Sequence, residues 1–589
     1  MCGIFLVLSR NKVNHTNCLK TSKKLYNRGP DQQRYSFFYN KRLFLSNTVL
    51  SITGNLNKKK DIYSSKSKRF YLSFNGEIYN YKNLNREYLN NSCNNDTEVL
   101  INLHDRIEAN KIPGILNGMF AYILLDKLKK KIKIVTDPQG EKNLYYYYDN
   151  NFFIVSSTPE SIIYFLNLNN INLEINYEVI NNYFSTRHYM PIHNTCFKKI
   201  SIIENSIILD FDIKNFNFKP HKYDDPVNWI SEKKYNYFQN LNEKDLIEYV
   251  DYELNEQIKL MIPNKKYGSI FSGGIDSSLQ SAILKKYSDP HLFLNVNHEN
   301  KDFINQNFKT FEKYLKAKIS IQKINSTKYK NLSKKCFDVL QSPLFTHDLP
   351  SRMYLSEVFR KRNCKVFFSA DGCDELLGGQ QLYLKVFKNK NYTNNNSPYS
   401  SANFKSLFLK NYKTSHNYYK FLNDKWKKVF ERYSFVKNLR ERNILSSFFL
   451  DYFIQSIYVA NKSTDLICCN SSVEPRNVFI QKKILKIFIN LPFIYRINDH
   501  ANKNFRQKYI LKKIFIKYFG KEMIFPKEGF SGFPEILYRE KHKMKDYVSN
   551  FGIINSNVKY YDRKNYKRDL SWKLSNIENF INRCCKFND

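Results

Sequence analysis

The sequence predicts a protein of two or more domains with an α/β part in its second half, and three observations carry that prediction. At 589 residues the chain is longer than one hydrophobic core normally organises, so two or more domains are expected. Residues 267–286 read as a short apolar run, a Gly-rich turn and an amphipathic stretch, which is strand, loop and helix start. A second apolar run at 366–369 leads into an acidic, Gly-containing loop, so the same strand-to-loop pattern occurs twice. No run of eighteen apolar residues occurs, and no membrane span is expected.

From the N-terminus, the first informative element is Met1-Cys2-Gly3-Ile4. Removal of Met1 would leave Cys2 with a thiol and a free α-amine. An α-amine has an ordinary pKa near ~8, so at neutral pH it is partly deprotonated and can serve as base for its own thiol. A second-position Cys means little alone. Four segments follow it in order: Arg28-Gly29-Pro30-Asp31, Asn75-Gly76-Glu77-Ile78-Tyr79-Asn80, Asn95-Asp96-Thr97-Glu98 and Leu116-Asn117-Gly118-Met119-Phe120-Ala121.

Together with Cys2 these segments resemble the class II glutamine amidotransferases, which implies that the first of two domains is α+β, an N-terminal-nucleophile αββα sandwich, ahead of the α/β part. The resemblance implies that Cys2 attacks the amide carbon of glutamine. The oxyanion would be met by the side-chain amide of Asn75 and the backbone N–H of Gly76, where a missing Cβ allows close approach. Asp96 would hold the glutamine ammonium, with Glu77 among the glutamine-binding residues. Arg28 either organises the loop around the nucleophile or forms a structural salt bridge. One part departs from the family: Val49, in Asn47-Thr48-Val49-Leu50-Ser51-Ile52, stands where members carry an Arg that clamps the glutamine carboxylate. Val cannot supply a bidentate carboxylate pair. Either Arg34 or Arg42 substitutes, or glutamine binds poorly and free ammonia is the working nitrogen source.

In the second half, Phe271-Ser272-Gly273-Gly274-Ile275-Asp276-Ser277-Ser278 ends a strand-like run and opens a helix. Exposed N–H groups at a helix start, with hydroxyls beside them, favour an anion. The string resembles the PP-loop of ATP pyrophosphatases and lacks the Gly-Lys-Ser/Thr ending of a Walker A loop. The later segment Ala370-Asp371-Gly372-Cys373-Asp374-Glu375-Leu376-Leu377-Gly378-Gly379 resembles the acidic motif of asparagine synthetases and their relatives. Asp276 and Asp374 would be the oxygen ligands of Mg²⁺. Asp371 would be the base that deprotonates incoming ammonium, and Ala370 replaces a usual Gly. Val296 and Ala370 join the ATP-binding set by the same resemblance. Glu474-Pro475-Arg476-Asn477 looks like the family's Glu-x-Arg helix entry, with Gln481 where an Asp is usual. Lys508, in Gln507-Lys508-Tyr509-Ile510-Leu511-Lys512, matches the catalytic Lys that neutralises departing pyrophosphate, and Pro526-Lys527-Glu528-Gly529-Phe530-Ser531 matches a tail motif.

The formal net charge of +40, from 94 basic and 54 acidic residues, would ordinarily suggest nucleic acid. The basic residues are spread along the chain and no nucleic-acid motif accompanies them, so the charge reads as compositional drift. The eleven Cys form neither a disulfide framework nor a metal spacing, and a reactive thiol at position 2 suits a reducing cytoplasm.

Taken over nearly the whole chain, the resemblance is to the glutamine-hydrolysing asparagine synthetases. It implies a glutaminase domain at 2–208, a linker at 209–243 that follows a junction motif at Tyr189-Met190-Pro191, and a doubly wound PP-loop synthetase domain with a helical C-terminal part at 244–589. The implied chemistry uses ATP, Mg²⁺, aspartate and glutamine, proceeds through a β-aspartyl adenylate and allows a homodimer. A same-architecture amidotransferase acting on a uronic acid or a cell-wall peptide is the alternative. A degenerate non-enzyme retained for interactions is a third reading, suggested by Val49, Ala370 and Gln481.

Overall fold

The computed structural model describes residues 2–54, 56, 60–185, 193–298, 304–379, 416–502, 504–525 and 564–584. The junction motif at 189–191 and the tail motif at 526–531 lie outside these described residues.

Two six-stranded antiparallel sheets occupy the N-terminal part. In the first, Gly3–Ser9 lies between Phe152–Ser156 and Leu43–Val49, with Gln32–Phe38 at one edge and Ile200–Ile202 beyond Tyr145–Tyr148 at the other. In the second, Gly118–Asp126 lies between Phe70–Ile78 and Lys131–Thr136, and Ile207–Asp212 and Asn217–Lys222 extend it. Period-two alternation explains the stacking. Ile4, Leu6 and Leu8 share one core with Ala121, Ile123 and Leu125 of the other sheet. Phe5 and Val7 point the opposite way, into a core with Ile162 and Phe165 of the helix Pro159–Leu168. Phe120 and Tyr122 likewise pack outward with Val99 and Leu100 of the helix Asp96–Leu103. Both central strands are buried on both faces, and the order of layers is helix, sheet, sheet, helix. The 209–243 stretch, which its polarity reads as linker, contains the edge strand Asn217–Lys222 and the helix Glu232–Asn240.

The C-terminal part is built on a five-stranded sheet whose pairs are all parallel. Its spatial order is Ile319–Ile324, Leu292–His298, Tyr267–Ile270, Val366–Phe368, Glu474–Arg476. Chain order therefore reverses between Tyr267–Ile270 and Val366–Phe368. In open α/β sheets the crevice at the C-terminal ends of such a pair is where ligands bind. Both Gly-containing loops singled out in the sequence leave the sheet at that crevice. Among the described residues no helix is long and apolar enough to cross a membrane.

Candidate active sites

Cys2 precedes the strand Gly3–Ser9, and its backbone nitrogen donates to Asn75 Oδ1 at 3.0 Å. Alternation along Phe70–Ile78 turns Phe74 outward and brings Asn75 to this point, where it is fully buried. Its Oδ1 being occupied by Cys2, Asn75 keeps Nδ2 buried with no hydrogen-bond partner among the described residues. A buried amide donor left without a partner costs free energy unless a ligand meets it. Gly76 follows; a Cβ there would stand 2.1 Å from Met119 O of the paired strand, so only Gly fits.

Residues from both halves of the chain surround the pocket beside Cys2, among them Val49, Tyr63, Gly76, Glu77, Asp96 and Glu474. Asp96 opens its helix, accepting from Ile78 N at 3.2 Å and from Thr97 N at 2.8 Å. Burial, with the like charge of Glu77, holds its carboxyl well above the usual range. Burial also pushes the Cys2 thiol up, with the positive amino terminus pulling against it. Arg28 makes two contacts. Its Nε donates to Cys2 O at 3.3 Å, and its Nη2 pairs with Asp465 Oδ2 at 2.8 Å in a contact almost wholly shut from solvent.

Val49 is in the pocket wall, and neither proposed substitute for the missing Arg is a lining residue. Arg34 Nε donates to Gln32 Oε1 at 2.8 Å and its guanidinium lies 4.2 Å from the centre of the Tyr63 ring. Arg42 Nε donates to Ser9 O at 3.1 Å, at the far end of the strand. No basic side chain is found among the described lining residues.

The second site sits at the sheet crevice. Ser272 N and Oγ both contact Ser277 Oγ, at 3.1 and 2.8 Å, folding the loop back onto the first turn of the helix Ile275–Tyr287. Gly273 takes φ +75, a conformation a Cβ would strain. Gly274 caps that helix without a side-chain acceptor, which leaves backbone N–H groups of the first turn for an anion. Phe271 and Val296 are buried, Ser278 is buried just behind the loop and Ala370 is half-buried against the core.

Lys508 joins the two loops. Its Nζ pairs with both Asp276 and Asp374. Burial disfavours its charge, yet these two carboxylates hold the ammonium above its ordinary pKa. Lys508 has φ +51 and immediately precedes the helix Tyr509–Phe519, and its N–H donates to Leu377 O at 3.0 Å. Gly379 makes room for this triad: a Cβ there would stand 1.9 Å from Asp374 Oδ1. Asp371 does not join it. Both its oxygens are taken by Arg352, each at 2.8 Å, and Asp348 binds the same guanidinium at Nε.

The strand Glu474–Arg476 and the residue after it run from the Cys2 pocket to the acidic loop of the second site. Glu474 lines the Cys2 pocket. Arg476, almost wholly buried, pairs with Glu77 Oε2 at 3.1 Å and Glu474 Oε1 at 2.9 Å. The next residue, Asn477, donates through Nδ2 to Asp371 O at 2.8 Å. A second pocket, lined by Glu141, Ser369, Asp371, Arg476 and Asn477 among others, lies along this strand.

Comparison with known proteins matches residues 1–224 to the glutamine amidotransferase domain model and residues 250–552, half of the chain, to the asparagine synthase model. The chain belongs to the asparagine synthase family. Similar relatives include a putative glutamine-hydrolysing asparagine synthetase 2 of Methanocaldococcus jannaschii, 26% identical over 66% of this chain and 77% of that protein. Asparagine synthetase 1 of Bacillus subtilis is 25% identical over 65% of this chain and 59% of its own length. The Rattus norvegicus asparagine synthetase is 24% identical over 49% of this chain and 48% of its own. The chain thus spans between about half and three quarters of these relatives. A solved allosteric regulatory enzyme of purine biosynthesis aligns at 11% identity and a TM-score of 0.29, over 55% of this chain and 80% of that one.

Within this family frame, sequence reasoning missed Arg352, Asp465 and the pocket role of Glu474 and Arg476. The Asp348-x-x-x-Arg352 spacing was the readable signal for the first, since i and i+4 share a helix face. Nothing local announced Asp465.

Proposed function

We propose that this protein is a glutamine-dependent, ATP-consuming amide ligase that makes asparagine from aspartate. What carries the reading is one segment, Glu474–Asn477, that lines the Cys2 pocket at Glu474 and at Asn477 holds the main chain of Asp371, in the acidic loop that also carries Asp374 of the crevice.

In this reading the α-amine of mature Cys2 takes the thiol proton while the sulfur attacks the glutamine amide. Because Oδ1 of Asn75 is held by the Cys2 nitrogen, its Nδ2 points where the oxyanion develops, alongside the Gly76 N–H. Asp96 receives the substrate ammonium. Ammonia then moves along Glu474–Arg476 to the crevice. There the Ser272–Ser278 loop grips the ATP phosphates, and Lys508 steadies pyrophosphate as the aspartate side-chain carboxylate takes the adenylyl group. Magnesium suits the same place by donor chemistry, because Asp276 and Asp374 bring hard oxygen ligands from facing loops; Lys508 pairs with both carboxylates here, so the metal would enter with the ATP phosphates to which Lys508 can turn. When bound, magnesium would neutralise phosphate charge. We place the domain division between the last strand of the second sheet, Asn217–Lys222, and the helix Glu243–Met261.

Incubation with ATP, Mg²⁺, ammonium and aspartate should yield asparagine, AMP and pyrophosphate, with Asp276→Ala as the inactive control. Pyrophosphate without asparagine would move the acceptor to another carboxylic acid, and no pyrophosphate would leave the non-enzyme reading. Val49 in the pocket wall supports a second reading, in which glutamine serves poorly and free ammonia is the nitrogen source. Comparing the two nitrogen sources in one assay separates these.

A further inference from the structure

Arg352 lies in the first turn of the helix Leu349–Lys361 and is bound at all three guanidinium nitrogens. Nη1 and Nη2 meet Oδ2 and Oδ1 of Asp371 at 2.8 Å each, the parallel two-bond geometry that suits a carboxylate. Nε is held separately by Asp348, which precedes the helix. The plane of the guanidinium is therefore fixed from behind, and the two-nitrogen edge keeps its aim whatever occupies it.

Asp371 is anchored differently. Its main chain is pinned by Asn477 Nδ2 at 2.8 Å, and its neighbour Ser369 N donates to Arg476 O at 2.8 Å. Its side chain, 27% exposed against 13% for Arg352, also borders the pocket along Glu474–Arg476. A side-chain rotation alone would take the carboxylate from the guanidinium towards that pocket, with no backbone movement.

We propose that Arg352 is the residue that binds the carboxylate of the acceptor substrate, exchanging Asp371 for it, and that the exchange frees Asp371 for the incoming ammonia. This rests on the ATP-dependent amide synthesis proposed above. Replacing one carboxylate by another keeps two charge-assisted hydrogen bonds, so the exchange costs little. The position fits: Asp371 follows Val366–Phe368, the strand that faces the phosphate loop across the point where strand order reverses. An acceptor oxygen then forms a bond to the α-phosphorus of ATP while the bond to pyrophosphate breaks. The ammonia lone pair next forms the C–N bond, AMP departs, and the surplus proton goes to Asp371. The guanidinium thus makes the base available only when an acceptor is present.

The test is binding of L-aspartate, succinate and D-glucuronate to the full chain by calorimetry, with Mg²⁺ and α,β-methylene-ATP present. Asp371→Asn removes the competing internal carboxylate, so at least one probe should bind it about tenfold tighter than it binds wild type. Arg352→Lys keeps the charge but loses the two-bond edge and should weaken that binding by about tenfold. A purely structural ion pair predicts the opposite for Asp371→Asn, a less stable protein with no gain in binding. Equal or weaker binding by Asp371→Asn, or failure of all three probes to bind it, overturns the proposal. So does an unchanged affinity in Arg352→Lys. Arg352→Met is the stronger variant; should it not fold, the other two still decide. If the binding pattern appears but no asparagine forms from ATP, the fork assignment stands and asparagine synthesis falls. If Arg352→Lys makes asparagine with an unchanged KM for aspartate, the assignment falls and the synthesis stands.

Discussion

Truncating Asn75 to alanine separates chemistry from binding at the Cys2 site. The side chain is fully buried, holds the Cys2 nitrogen at 3.0 Å through Oδ1 and keeps an Nδ2 with no hydrogen-bond partner among the described residues, next to the pocket residues Cys2 and Gly76. Loss of one such donor in an acyl-transfer site typically lowers kcat by about 10²–10³, or about 3–4 kcal/mol of transition-state stabilisation. The donor is needed only once the carbonyl carbon becomes tetrahedral, so the loss belongs in kcat rather than KM. Losing the 3.0 Å bond adds about 1 kcal/mol of lost stability, too little to unfold a domain. The assay measures glutamate release from glutamine and, on the same preparation, asparagine formation from ammonium chloride. Glutaminase kcat should fall about 10²–10³-fold, with KM for glutamine moving less than about threefold and the ammonia-dependent rate unchanged. Asn75→Asp sharpens the test, because it keeps the acceptor for Cys2 but replaces the donor by a carboxyl beside Glu77 and Asp96. It should be no better than alanine. A fall confined to KM, or a kcat within tenfold of wild type for either variant, would refute the oxyanion role.

Three further outcomes are expected. Val49→Arg should lower KM for glutamine about tenfold or more at unchanged kcat, since a charge-assisted carboxylate pair contributes about 1.5–3 kcal/mol; steady-state glutaminase kinetics check it, and an unchanged KM counts against a missing clamp. Lys508→Met should cut pyrophosphate release roughly 10²–10³-fold, and, with Asp276 and Asp374 left facing each other, its melting temperature should rise with millimolar Mg²⁺ while that of wild type barely responds. His104, buried between Phe70 and Tyr122 with neither ring nitrogen hydrogen-bonded among the described residues, has its pKa lowered to about 3, chiefly by burial. The unfolded chain therefore takes up a proton between pH 6.5 and 3 that the folded one refuses. Stability from this group is complete above pH 6.5 and falls by about 1.4 kcal/mol per unit as pH drops through that window. Urea titrations of His104→Phe at stepped pH should show that slope removed.

What the sequence made legible follows from how far each signal reaches along the chain. Asn75 and Gly76 were readable because they fall in a short consecutive segment that resembles a family motif, and the Ser272–Ser278 loop because strand, Gly turn and helix start are consecutive. Asn217–Lys222 escaped for an equally local reason: nearly all its side chains face solvent, so an edge strand has the polarity of a linker. The charges that knit the two halves had no local signature at all. Arg28 finds Asp465 and Glu77 finds Arg476 hundreds of residues away, and a Lys, Arg, Asp or Glu in so charged a chain reads as surface until its partner is seen. Burial reverses that reading, because a charge shut from water is costly unless paired and breaking such a pair typically costs about 3–5 kcal/mol. Asp465 binds Arg28 Nη2 at 2.8 Å and lies 3.4 Å from Lys142 Nζ, so one carboxylate of the C-terminal half neutralises two cations of the N-terminal half. Arg28, which also donates to the Cys2 carbonyl, is thus completed by a helix of the C-terminal half, Ser456–Cys469. An N-terminal half separated from that carboxylate would keep Arg28 buried without its partner and lose about 3–5 kcal/mol of stability, so the proposed nitrogen release would depend on the presence of the crevice proposed to use it.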